Sequence, residues 1–175
     1  MKYLGHLART ALAASLLAGG SLAALPASAA PADVALIKSY IGDWRGRGVI
    51  IGENQETVVC RLSLTEGNND KVNYSGRCTL AGTQLSVAGT IAYIEASRQY
   101  EAAMSTNATF TGTAVGKKRG SNLVFNLRDR ETDEEGKPLN ISAQIVLKDD
   151  AMQVDFDVVY VETGDNLHAE VPFTR

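Results

Sequence analysis

From Asp43 to its last residue the chain alternates apolar and polar side chains with a period of two, a pattern that buries its apolar set only as strands with one face turned inward. The rhythm is clearest over Thr57 to Thr65, where Val58, Cys60, Leu62 and Leu64 share one face and Val59, Arg61 and Ser63 take the other. The turn cluster Glu66 to Asp70 follows, and Val72, Tyr74, Gly76, Cys78 and Leu80 then carry the apolar set along the next strand. A hairpin about that turn sets Leu64 opposite Tyr74, Leu62 opposite Gly76 and Cys60 opposite Cys78. One register thus aligns the apolar faces and the sulfurs together. Directly opposed residues of a non-hydrogen-bonded antiparallel pair have Cα atoms ~4.5 Å apart, within bridging range, so a Cys60–Cys78 disulfide is expected. Closing that loop stabilises the fold by about 3 kcal/mol in the chain-entropy account.

The alternation recurs over Gln84 to Ile94, Arg98 to Ser105, Ala108 to Val115, Asn122 to Asp129, Leu139 to Lys148, Ala151 to Tyr160 and Leu167 to Thr174, with Asp43 to Gly52 leading. Turn-forming residues separate most of these segments, and no helical crossover lies between them, so neighbours in sequence pair as an antiparallel meander. So many strands in one small body must close into a barrel or fold into two packed sheets. We read an all-β protein: an antiparallel up-and-down β-barrel of about ten strands with a short N-terminal helix. That helix opens at Pro31-Ala32-Asp33, with Asp33 as its cap, buries Val34, Ile37 and Ile41 with Leu36 and Tyr40, and stops at Gly42.

Residues 1–29 have the form of a cleaved signal peptide. Lys2 and Arg9 charge the start, an apolar run from Ala11 to Leu25 follows, and Ala27-Ser28-Ala29 offers a cleavage site. Gly19-Gly20, Ser21 and Pro26 break that run, and no later stretch is long and apolar enough to span a membrane as a helix. Residues 30–175 then form a single domain, of a length that supports a substantial core. Lys2 and Arg9 leave with the signal, so 15 basic residues face 20 acidic ones, a net charge of −5 that gives no reason to expect nucleic acid as a partner. Both cysteines stay in an exported chain, as the disulfide requires, and the expected location is periplasmic or secreted.

Gly42-Asp43-Trp44, at the first strand and just after a short helix, resembles the Gly-x-Trp opening of the calycin superfamily of lipocalins, fatty-acid-binding proteins and haem-binding nitrobindins. The run from Gly42 to Gly48 is most similar to the nitrobindin form. The resemblance implies that Trp44 packs across the closed end of the barrel beneath an arginine of the last strand, and Arg175, on the inward parity of Leu167, Ala169, Val171 and Phe173, is placed for that role. Nitrobindins bind haem through a histidine late in the barrel, which singles out His168. Its parity is opposite to the inward set, so it is expected to face solvent, and no cofactor is expected.

The inward set mixes small residues, such as Gly46, Gly76, Gly89 and Gly112, with Tyr74, Tyr93, Tyr100, Met104, Phe110, Phe125, Phe156 and Tyr160. Small residues on an inner face either leave a cavity or let the strands coil at barrel corners. If they leave one, these larger side chains are the candidate ligand-binding residues of an apolar pocket. Elsewhere the chemistry is sparse. Asp129, Glu131, Asp133, Glu134 and Glu135 mimic the start of a calcium loop, but Ser142 stands where the bidentate acid belongs, so they read as a solvated hairpin tip. Lys117-Lys118-Arg119 reads as another tip, and Asp155 and Asp157 lie on an outer face instead of converging. With bridged cysteines and no nucleophile or metal-ligand constellation, neither an enzyme nor a metal site is expected.

The leading expectation is an exported, calycin-like binding protein for a small hydrophobic molecule. The alternative is a protein-binding module such as a periplasmic protease inhibitor. Cys60-Arg61-Leu62-Ser63-Leu64 after Gly42-Asp43-Trp44 is similar to the secreted bacterial metalloprotease-inhibitor barrels, although Pro31 to Tyr40 reads as a helix where an inhibitor has an extended arm. A third reading, an outer-membrane barrel, lacks the paired aromatic girdles and turns the cysteines toward lipid.

Overall fold

The computed structural model describes residues 29–80, 82–108, 110–133 and 135–175. The signal segment, apart from Ala29, lies outside them, as does Glu134 of the acidic loop. A helix, α1 (Ala29–Lys38), precedes ten strands: β1 (Gly42–Ile51), β2 (Gln55–Glu66), β3 (Val72–Leu80), β4 (Thr83–Ile94), β5 (Gln99–Thr106), β6 (Thr111–Arg119), β7 (Asn122–Thr132), β8 (Pro138–Leu147), β9 (Ala151–Tyr160) and β10 (Asn166–Thr174). Each strand pairs antiparallel with the next, and β10 returns to pair with β1, which closes the sheet. Closure removes both sheet edges and leaves one face enclosed, which is what a period-two chain of this length needs.

The β2–β3 register puts Cys60 opposite Cys78, Leu62 opposite Gly76 and Leu64 opposite Tyr74. The two cysteines are joined by a disulfide with Cα atoms 4.0 Å apart. Asn69 and Asp70 take positive φ in the turn between these strands, a conformation that short polar side chains tolerate better than most.

Three details depart from the sequence reading. The helix begins at Ala29, so Asp33 sits in its middle and is not a cap. Its carboxylate instead accepts the Tyr100 hydroxyl at 2.5 Å, because the helix lies over the end of the barrel where β5 begins. Strand β6 runs to Arg119, which moves Lys117-Lys118-Arg119 from a tip into the strand. Strand β7 runs on to Thr132, and this lifts Asp129 and Glu131 out of the loop. Opposite Ile141 and Leu139, they share the inward parity of Leu123, Phe125 and Leu127 and are partly buried.

Helix α1 and the connections β2–β3, β4–β5, β6–β7 and β8–β9 lie at one end of the barrel. Ile37 and Tyr40 of the helix segment are buried there with Trp44, Val72, Leu123 and Phe125. The Trp44 indole N–H donates to the Tyr40 carbonyl at 3.0 Å. The Arg175 guanidinium lies 4.6 Å from the centroid of the Trp44 ring and donates to the Ser39 carbonyl at 2.6 Å. Lys38 adds ion pairs of 3.0 Å to Glu66 and Asp70. This end is plugged.

Candidate functional site

The other end is formed by the β1–β2, β3–β4, β5–β6, β7–β8 and β9–β10 connections, and no helix covers it among the described residues. Burial along the inner face falls toward this mouth. At the plugged end Trp44 and Phe125 are each 1% exposed and Val72 and Leu123 0%. Nearer the mouth, Val87, Met104, Phe156 and Val158 on β4, β5 and β9 are only half-buried, although Val58 and Ile141 are buried there too. Enclosed side chains that still reach solvent face an interior entered from one end.

The larger inward side chains divide along that axis. Tyr93 and Tyr100 belong to the plug: their rings meet edge to face at 5.1 Å, and Tyr100 is fixed to Asp33. Burial, then the bond to Asp33 and its negative charge, raises the Tyr100 hydroxyl far above its ordinary value. Burial and the Asp33 charge raise Tyr93 as well. Phe125 is also in the plug. Tyr74 lies midway, its hydroxyl donating to the Ala103 carbonyl at 2.9 Å, with burial pushing its pKa up to about 12. Met104, Phe110, Phe156 and Tyr160 remain for the mouth half, all half-buried.

The inner glycines serve as seats for rings. A Cβ on Gly89 would come within 2.6 Å of the Tyr74 hydroxyl, one on Gly116 within 2.5 Å of Phe125, one on Gly112 within 2.7 Å of Phe110 and one on Gly46 within 2.6 Å of Phe173. At those positions the space that a small residue leaves is taken by an aromatic ring from the same or a neighbouring strand, so the interior is closely packed around them.

At the mouth itself a hollow of about 900 Å³ lies between the β1–β2, β7–β8 and β9–β10 connections, lined by Pro138, Tyr160 and Leu167 beside Asp133, Lys137 and Asp165. Asp129 and Glu131 face inward just below on β7, so carboxylates outnumber the single cation Lys137 around this hollow and beneath it. The alternation in the sequence already reaches Asp129, but a run of acids reads as solvated loop, and the pairing with β8 is what extends the inward parity to Glu131.

His168 lies on β10 opposite Asp157, off the inward parity, with its Nδ1 2.8 Å from Asp157 Oδ1. It therefore faces away from the lumen and is not placed to ligate a haem held inside the barrel. Among the described residues no cluster of three metal-ligating side chains occurs. Residues 29–38 are helical, so within them there is no extended arm of the inhibitor type.

The crystal structure of Rv2717c from M. tuberculosis superposes with a TM-score of 0.59 at 16% identity, covering 81% of this chain and 97% of that one. The fold is a calycin-like barrel. The S-type phycobiliprotein lyase CPES from Guillardia theta superposes at 0.52 with 11% identity over 81% of this chain and 90% of its own. No protein-family model matches the sequence, and no curated protein does. At these identities the shared property is the calycin-like architecture alone.

Proposed function

We propose that the protein is an exported, non-enzymatic carrier of a small apolar molecule, held in the mouth half of the calycin-like barrel. The observation that carries this reading is the burial difference: most apolar inward residues are sealed at the helix end, whereas Val87, Met104, Phe110, Phe156 and Val158 keep accessible surface toward the other. Covering that surface with an apolar ligand is favourable by about 25 cal/mol for each Å² removed from water. The Tyr160 hydroxyl and the carboxylates of Asp129 and Glu131 supply hydrogen-bond acceptors and negative charge at the entrance. They favour a ligand whose polar end is neutral or cationic over a fatty acid, whose carboxylate they would repel. Export rests on the signal-like residues 1–29 and suits a disulfide-bridged barrel.

Titration with Nile red, a neutral apolar dye, tests the reading. Saturable one-to-one binding is expected, weakened several-fold by Ala143→Phe, which projects a ring inward between Leu127 and Phe156. Phe156→Ala should alter the affinity from the opposite direction, by enlarging the space. Absence of saturable binding, or indifference to both substitutions in variants whose circular dichroism is unchanged, would overturn it.

A further inference from the structure

The outer wall holds a second feature unrelated to the lumen. In the β1–β2 register Arg45 stands opposite Arg61, and in the β2–β3 register Arg61 stands opposite Arg77. Three guanidinium side chains therefore form one row across adjacent strands, all on the exposed outer face. Neighbouring strands are about 4.8 Å apart, so the row spans about 10 Å. Like charges directly opposed across a sheet repel and destabilise it. The expected remedy is an interleaved carboxylate. Among the described residues, however, the ion pairs are Lys38 with Glu66 and Asp70, Lys137 with Glu135 and His168 with Asp157, and none includes these arginines. Asp43 is the single acid in the hollow where they lie, two residues along β1 from Arg45.

That hollow, of about 1000 Å³, lies over β1 to β5, and Ser63, Ser75 and Ser86 add hydroxyl donors to the arginines. Guanidinium forks match phosphate oxygens in a bidentate way, and neutral hydroxyls complete the coordination of such an oxyanion without adding charge. A local excess of positive charge, in a chain whose formal net charge is −3, makes this wall a place where an anion is attracted.

We propose that the Arg45–Arg61–Arg77 row is a binding site for a compact oligophosphate carrying two or three phosphate groups. One phosphate engages one or two guanidinium groups, whereas a row of three positive charges is neutralised only by several negative charges in line. The concave, hydroxyl-bearing floor suits a compact molecule that enters it better than a planar bilayer.

Inorganic tripolyphosphate is the probe, followed by calorimetric titration of the full-length mature protein at two salt concentrations. One-to-one binding that weakens with salt is expected, at least tenfold tighter than for monophosphate. Arg61→Gln, which removes the centre of the row, should weaken it tenfold or more, whereas Arg119→Gln on β6 should leave it unchanged. Nile red bound in the lumen should not compete, so failure here and failure of the carrier reading are separable. Equal loss in both variants would mean diffuse charge attraction and would overturn the proposal, as would absence of binding. Arg61-dependent binding to phosphatidylglycerol vesicles without tripolyphosphate binding would also overturn it, in favour of a membrane surface.

Discussion

Gly48 is the position at which closure of the barrel is most exposed to test. It lies on β1 beside β10, where the register runs through Arg45 with Thr174 and Gly46 with Phe173 and resumes at Val49 with Glu170. A Cβ placed there would meet the Glu170 carbonyl oxygen at 1.9 Å and the Val171 Cα at 2.8 Å. Carbon and carbonyl oxygen sit no closer than about 3.3 Å in ordinary sheet contacts, so Gly48→Ala forces β1 and β10 apart by about 1.4 Å. Both obstructing atoms are backbone, which cannot swing aside as a flexible side chain would. Overpacking of this kind costs about 3 kcal/mol, at the upper end of its usual range. Replacing a strand glycine by alanine returns about 0.5–1 kcal/mol through the unfolded chain. The net expectation is a loss of about 2 kcal/mol, or about 4–8 °C in Tm for a domain of this size. Gly52→Ala is the control, since a Cβ there meets nothing within 4 Å. Urea unfolding with matched m-values measures both variants. If Gly48→Ala is as stable as Gly52→Ala, β1 and β10 do not approach as described.

Reduction of Cys60–Cys78, or its replacement by a pair of alanines, should lower stability by about 3 kcal/mol and move the urea midpoint accordingly, because the bridge spans 18 residues and acts mainly on the unfolded chain. Tyr74 ionises near pH 10 when unfolded and only near 12 in the barrel, so its contribution is constant below pH 10 and is lost as pH climbs toward 12, by about 3 kcal/mol in all. Absorbance at 295 nm should show that ionisation delayed, and Tyr74→Phe should lessen the alkaline loss of stability. Arg175→Ala removes both the contact with the Trp44 ring and the bond to the Ser39 carbonyl, and should cost about 1–2 kcal/mol with a change in the near-ultraviolet signal of Trp44.

The strands were legible in sequence because each side chain's face depends only on odd or even position, and the opposed cysteines fixed one register outright. The same β2–β3 register already opposed Arg61 to Arg77. Arg45 joined them only once β1 was aligned with β2, a hairpin whose register no opposed cysteine pair pins. The continuation of β7 beyond Asp129 through Glu131 was hidden because acidic residues break the apolar rhythm even where the backbone keeps it. Asp33 was misplaced for a related reason: a cap is a local preference, and the Tyr100 hydroxyl across the barrel end is a stronger claimant. Ring seating on Gly89, Gly112 and Gly116 was likewise out of reach, because small inward residues announce space without saying what fills it.

Methyl-resolved NMR during titration with Nile red tests the ligand-carrier account most directly. Shifts should concentrate at Val87, Met104 and Val158, leaving Val72 and Leu123 in the plug undisturbed. Perturbation confined to outward-facing Val59 and Val115, or none at saturation, would contradict it.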